Sequence, residues 1–97
     1  DDYVTTASIN TITTLDVDNM NIAILIGIED FIGLKYLYCG LNQLTSLDLS
    51  NNINLENLHC PENTIATIDF SNSVNIMDVN CENNQIYSLD ISQNSLL

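Results

Sequence analysis

The residues of this chain that could do chemistry recur at a fixed interval. Cys39, Cys60 and Cys81 are each 21 positions apart, and so are Asp48, Asp69, Asp90 and Asn42, Asn63, Asn84. Three cysteines ordinarily suggest a metal site or a free thiol beside a disulfide. A row of aspartates ordinarily suggests a cation. The single histidine, His59, has no nucleophile or paired carboxylate placed with it by sequence, so it has no partner for acid–base work. No Gly-rich phosphate loop, nucleophile elbow or metal-spaced histidine pair is present. The nearest approach to a calcium loop, Asp16-Val17-Asp18-Asn19-Met20-Asn21, lacks the glycine and the distal glutamate that such a loop needs. An enzyme reading has no residues to stand on.

The interval itself is the stronger signal, because fixed self-similarity identifies a repeat architecture. Leu34, Leu55, Ile76 and Leu97 share it, as do Leu37, Leu58, Val79; Leu44, Ile65, Ile86; Leu47, Ile68, Leu89; and Leu49, Phe70, Ile91. Each copy contains two runs of period-2 alternation, which read as short strands with one buried face. Stacked copies form two parallel sheets, and no copy can bury its inward side chains without neighbours. The units are 34–54, 55–75 and 76–97, within one domain.

This register sorts the reactive residues. Cys39, Cys60 and Cys81 fall on an inward slot and read as small hydrophobes, kept protonated by burial. In-register parallel neighbours aim their side chains the same way, which is poor disulfide geometry. Asn42, Asn63 and Asn84 sit where the chain bends away from the first strand, and their amides read as partners for backbone groups there. Asp48, Asp69 and Asp90 face outward, flanked by serine or threonine. Neighbouring carboxylates in water repel by about 1 kcal/mol. Calcium bridging them is the weaker reading, since calcium takes six or more oxygens and a flat ladder converges few. The favoured reading is hydrogen bonding to nearby hydroxyls and amides, with no cofactor.

The outward positions of the first strand carry Thr14, Asp16 and Asp18, then Tyr36 and Tyr38, Asn57 and His59, Asp78 and Asn80. Adjacent strands present such side chains about 4.8 Å apart. Aromatic rings beside amide, imidazole and carboxylate groups suit a protein loop or a neutral sugar. Tyr36, Tyr38, Asn57, His59, Asp78 and Asn80 are therefore the candidate ligand face.

Residues 1–33 keep the scheme loosely. Leu15 and Val17 match Leu37 and Cys39 at an offset of 22. The following run, NIAILIGIEDFIGL, lacks alternation and reads as a segment covered on both faces, with residues 1–11 folding over the stack as a cap. At the other end Leu97 opens a further unit, which points to a chain cut from a longer protein or to end-to-end stacking with another chain.

Thirteen acidic residues face one basic residue, Lys35, for a formal charge of -12. Such a surface repels nucleic acid and anionic lipid. The longest apolar run, Ile22 to Ile28, is too short to cross a bilayer. The sequence opens without the pattern of a secretion signal, which implies that any such signal has been removed or was never attached to this stretch.

The copies LKYLYCGLNQL, LENLHCPENTI and IMDVNCENNQI match the pattern L-x-x-L-x-L-x-x-N/C-x-L, with cysteine in the third apolar slot. The chain thus resembles the short leucine-rich repeats of bacterial secreted and cell-surface proteins, in the internalin-like class, over about 85 residues. The resemblance implies a leucine-rich-repeat solenoid, a right-handed β-rich coil, from an exported bacterial protein. It implies a non-enzymatic binding or adhesion role toward a protein or glycan. The alternative is a structural spacer or self-stacking block of a surface assembly. The class shares no catalytic apparatus, so no active-site residue carries over.

Overall fold

The computed structural model describes Ile9 and residues 11–97. Among the described residues six short strands lie in chain order: β1 (Thr14–Asp16), β2 (Tyr36–Tyr38), β3 (Ser46–Asp48), β4 (Asn57–His59), β5 (Thr67–Asp69) and β6 (Asp78–Asn80). One turn of 3-10 helix, Ile28–Asp30, follows β1. β1, β2, β4 and β6 form a four-stranded parallel sheet in that order, and β3 pairs with β5 in a second. The chain is therefore a solenoid that lays one strand per turn on the first sheet.

The register follows the sequence period. Leu37 pairs with Leu58, and Leu58 with Val79, both at an offset of 21. Leu15 pairs with Leu37 at an offset of 22, so the extra residue of the first unit is absorbed between β1 and β2. Between the sheets lie Leu34, Leu37, Leu44, Leu47 and Leu49 from one unit, with Leu55, Leu58, Ile65, Phe70 and Ile76 continuing the stack. Each fully buried aliphatic side chain of this kind contributes about 1.5–3 kcal/mol. Because inward residues touch the turns on either side, that gain exists only in the stack.

Polar columns fill the bends. The Asn42 amide donates to the carbonyls of Val17, Cys39 and Gly40, and its oxygen accepts from the N–H groups of Met20 and Ile22. Asn63 donates to Cys39 and Cys60 and accepts from Leu44 N–H. Asn84 donates to Cys60 and Cys81 and accepts from Ile65 N–H. Each amide thus ties its own turn to the one before, satisfying backbone groups the ladder has released. Neighbouring turns pack closely at this bend: a Cβ at Gly40 would fall 2.9 Å from Cδ of Pro61.

A second column runs through Asn52, Ser73 and Asn94, all buried. The Asn52 amide donates to the carbonyls of Ile28 and Phe31. The Ser73 hydroxyl donates to the Asn52 carbonyl, and the Asn94 amide to the carbonyls of Phe70 and Ser73.

Three expectations need correction. The stretch NIAILIGIEDFIGL, residues 21–34, is not covered on both faces: Ile24, Ile26 and Ile32 are exposed. Leu25 alone of the run 24–26 turns inward, so the segment behaves as a one-sided strand position rather than a buried one. The covering role given to residues 1–11 falls mostly outside the described residues. Next, the second alternating stretch of the last unit forms no strand; residues 85–97 carry only turns and irregular backbone, and Leu89 and Ile91 are exposed. Lastly, Asp90 consequently lies off the ladder that pairs Asp48 with Asp69.

Candidate functional site: the outward face of the first sheet

Strand alternation places the side chains of Tyr36, Tyr38, Asn57, His59, Asp78 and Asn80 on the side of the first sheet opposite the buried Leu37 and Leu58. The ladder aligns Tyr36 with Asn57 and Asp78 in one row, and Tyr38 with His59 and Asn80 in the next. Thr14 and Asp16 extend the same rows at β1.

Contacts run both along and across these rows. The Tyr38 and His59 rings meet edge to face with centroids 5.2 Å apart and planes at 70°. His59 Nε2 donates diagonally to the Asp78 carboxylate at 3.1 Å. The His59 side chain is 33% exposed and that of Asp78 56%, so the pair sits in water-accessible space. Such a pair contributes at most about 1 kcal/mol to stability, and its main effect is to hold the imidazole in place. Next to it Asn80 Oδ1 accepts the N–H of Glu82, which fixes that amide's orientation. The result is a partly ordered array of rings and hydrogen-bonding groups on a rigid ladder.

The two aspartate settings differ. Asp18 Oδ1 accepts the Gly40 N–H at 2.7 Å, so the carboxylate that sequence placed beside the ligand rows is engaged in joining turns. On the second sheet Asp48, Asp69 and Asp90 each accept the N–H of the serine two residues on: Ser50, Ser71 and Ser92. The hydroxyls of Ser71 and Ser92 add bonds at 2.7 and 2.6 Å. The serine hydroxyl, then its N–H, holds the carboxyls of Asp48 and Asp90 below their ordinary range. Among the described residues no group of three His, Cys, Asp or Glu side chains is placed to hold a metal ion.

The cysteines form an internal column. All three are free, with Cys39 and Cys60 buried and Cys81 half-buried. The neighbouring Cys39 thiol, then burial, pushes Cys60 far above the ordinary thiol range. Burial, then the nearby Cys60, raises Cys81. No helix among the described residues is long and apolar enough to cross a membrane.

Two features of the bends escaped the reading of sequence. One is the column Asn52, Ser73, Asn94, whose 21-residue spacing was visible. The other is left-handed backbone at Asn19, Leu41, Glu62 and Asn83, with φ of 55°, 55°, 58° and 56°. Leucine and glutamate give no local signal of that conformation.

Short parallel strands, a bend closed by an asparagine column and a one-sided outward face together define a leucine-rich-repeat solenoid of the internalin-like class. Comparison with known proteins gives the particular likenesses. The chain is 43% identical over 51 residues to Internalin J of Listeria monocytogenes serotype 4b, a match that covers 53% of this chain and 6% of that protein. A solved structure of the functional domain of InlJ from Listeria monocytogenes, described as including a cysteine ladder, superposes over 95% of this chain. The TM-score is 0.92 and the identity 39%, and the match covers 20% of that chain. The crystal structure of an internalin, InlF, from the same species matches 93% of this chain and 26% of its own, with TM-score 0.77 and 34% identity. The chain thus spans about a quarter or less of each relative. No family model matches it.

Proposed function

We propose that this solenoid is a non-enzymatic binding module of an exported bacterial protein, and that its ligand is a protein surface docked on the outward face of the first sheet. The observation that carries the reading is the ordered group Tyr38, His59 and Asp78, in which a ring contact and a 3.1 Å hydrogen bond pre-set three side chains on adjacent strands. Pre-set aromatic and polar groups lose little entropy on binding, which is what makes tyrosine-rich faces effective anchors. Tyr36 and Asn57 extend the patch along the row of Asp78. A surface placement is inferred from the likeness to internalins and agrees with the strong negative charge, which favours partners bearing basic side chains.

A glycan is the second reading. It is favoured by the pair Tyr36 and Tyr38 on one strand, whose rings could receive the apolar face of a neutral sugar. The test is capture from an array of surface proteins and from a glycan array by the chain and by its Tyr36→Ala/Tyr38→Ala double variant. Loss of capture in the variant supports the face. Undiminished capture removes it.

A further inference from the structure

The second sheet has an open edge. In a parallel ladder the N–H and C=O of one residue point to the same neighbour and successive residues alternate. The Thr45 carbonyl accepts from Ala66 and the Leu49 N–H donates to Asp69, so both turn toward β5. Ser46 and Asp48 therefore turn their backbone groups the other way, toward residues 24–27. No hydrogen bond among the described residues joins 24–27 to 46–48.

Between them lies a cleft of about 430 Å³. Leu25 occupies the place that Leu47 takes in the next unit and packs against the core. The residues on either side of it, Ile24 and Ile26, are 70% and 85% exposed. The same outward positions in the following units are Ser46, Asp48, Thr67 and Asp69. Two isoleucines thus stand in a column that is otherwise polar, beside the edge of β3 that faces away from β5. The carboxylates of Glu29 and Asp48 line the same cleft, with no basic side chain among its lining residues.

We propose that this cleft takes an extended polypeptide segment of a partner, which adds to β3 as a further strand and carries alternating apolar and basic side chains. The backbone of Ser46 and Asp48 offers donors and acceptors at strand spacing, which only another extended backbone can match. The isoleucine wall receives the apolar side chains. Glu29 and Asp48 select lysine or arginine in the alternate positions, as does the net charge of -12. The site is separate from the first-sheet face and does not depend on it.

The probe is a blocked heptapeptide of alternating valine and lysine, titrated into the full chain while backbone amide signals are followed by NMR. The amides of Ser46 and Asp48 move, and those of Tyr36 and His59 do not. A valine–glutamate peptide binds at least about tenfold more weakly, as does the valine–lysine peptide methylated on alternate backbone nitrogens. Ile24→Lys/Ile26→Lys weakens binding by about tenfold or more without changing Tm. Equal affinity for the two charge patterns, movement confined to the first sheet, or no movement overturns the proposal. So does slow hydrogen exchange at Ser46 and Asp48 in the free chain, or movement of these amides with protein concentration alone, since the edge would then be filled by the chain itself or by a second copy.

Discussion

His59 and Asp78 come from different turns of the coil, 19 residues apart, yet Nε2 and the carboxylate meet at 3.1 Å because β4 and β6 are neighbours in the ladder. The contact runs on a diagonal, since His59 itself is opposite Asn80. Asp78→Asn should therefore leave stability within about 1 kcal/mol of the parent, as expected for a solvent-accessible pair. If the proposed face is right, the same change weakens ligand capture. Urea denaturation and a capture assay on one preparation separate the two effects.

The amide of Asn63 presents a different balance. It is buried, and it donates to Cys39 and Cys60 while accepting from Leu44. Asn63→Ala leaves the buried Leu44 N–H without its acceptor, while the Cys39 and Cys60 carbonyls keep the amides of Asn42 and Asn84, at a cost of about 1–3 kcal/mol. Urea denaturation should show the midpoint falling by a corresponding amount. An unchanged midpoint would mean that water replaces the amide in the bend.

Leu41 holds a left-handed backbone with φ of 55°, and its side chain is exposed, so nothing gained by burial offsets the strain. Asn83 occupies the same place two units on with φ of 56°. Leu41→Asn is expected to stabilise the chain by about 1 kcal/mol, and Leu41→Gly by a similar amount less its unfolded-state entropy. Thermal and urea unfolding of the two variants check the order.

Thiol reactivity should follow burial. At neutral pH an alkylating reagent modifies Cys81 first, because Cys60 is buried and its thiol is pushed far up by Cys39 and by desolvation. Cys39 and Cys60 react only as the chain opens. Mass spectrometry of peptides at increasing times gives the sequence of events, and Cys60→Val should cost less than about 1.5 kcal/mol.

Acid titration tests the serine–aspartate turns. Asp48 and Asp90 are depressed in the folded chain, so their contribution to stability is present above the ordinary carboxylate value near 3.8 and disappears as pH falls through the lower folded value. Ser50→Ala and Ser92→Ala remove the larger cause, the hydroxyl. The NMR midpoints of Asp48 and Asp90 should then rise toward 3.8.

The 21-residue period determined the coil by itself. An inward apolar side chain must recur at the same point of every turn, so the spacing alone aligns Leu37, Leu58 and Val79, which the ladder pairs in that register. The same period assigned Cys39 and Cys60 to the interior and Tyr36, Tyr38, Asn57 and His59 to the outward side of their strands. Asn52, Ser73 and Asn94 share the period too, but nothing local distinguishes them from solvent-facing turn residues, and only the structure shows them buried.

What the period could not supply is what happens where the repeat meets a non-repeating neighbour. Leu89 and Ile91 carry the residue types of an inward slot and are exposed, with no strand formed around them. Ile24 and Ile26 have the composition of a core segment, and only the tertiary structure shows them exposed, lining a cleft with β3 and making no backbone hydrogen bond to it. Side-chain contacts across turns were equally out of reach: strand pairing sets the rows, but whether His59 turns to Asn80 or to Asp78 depends on rotamers. Periodicity decides which way a residue points. The presence and packing of its neighbours decide what it meets.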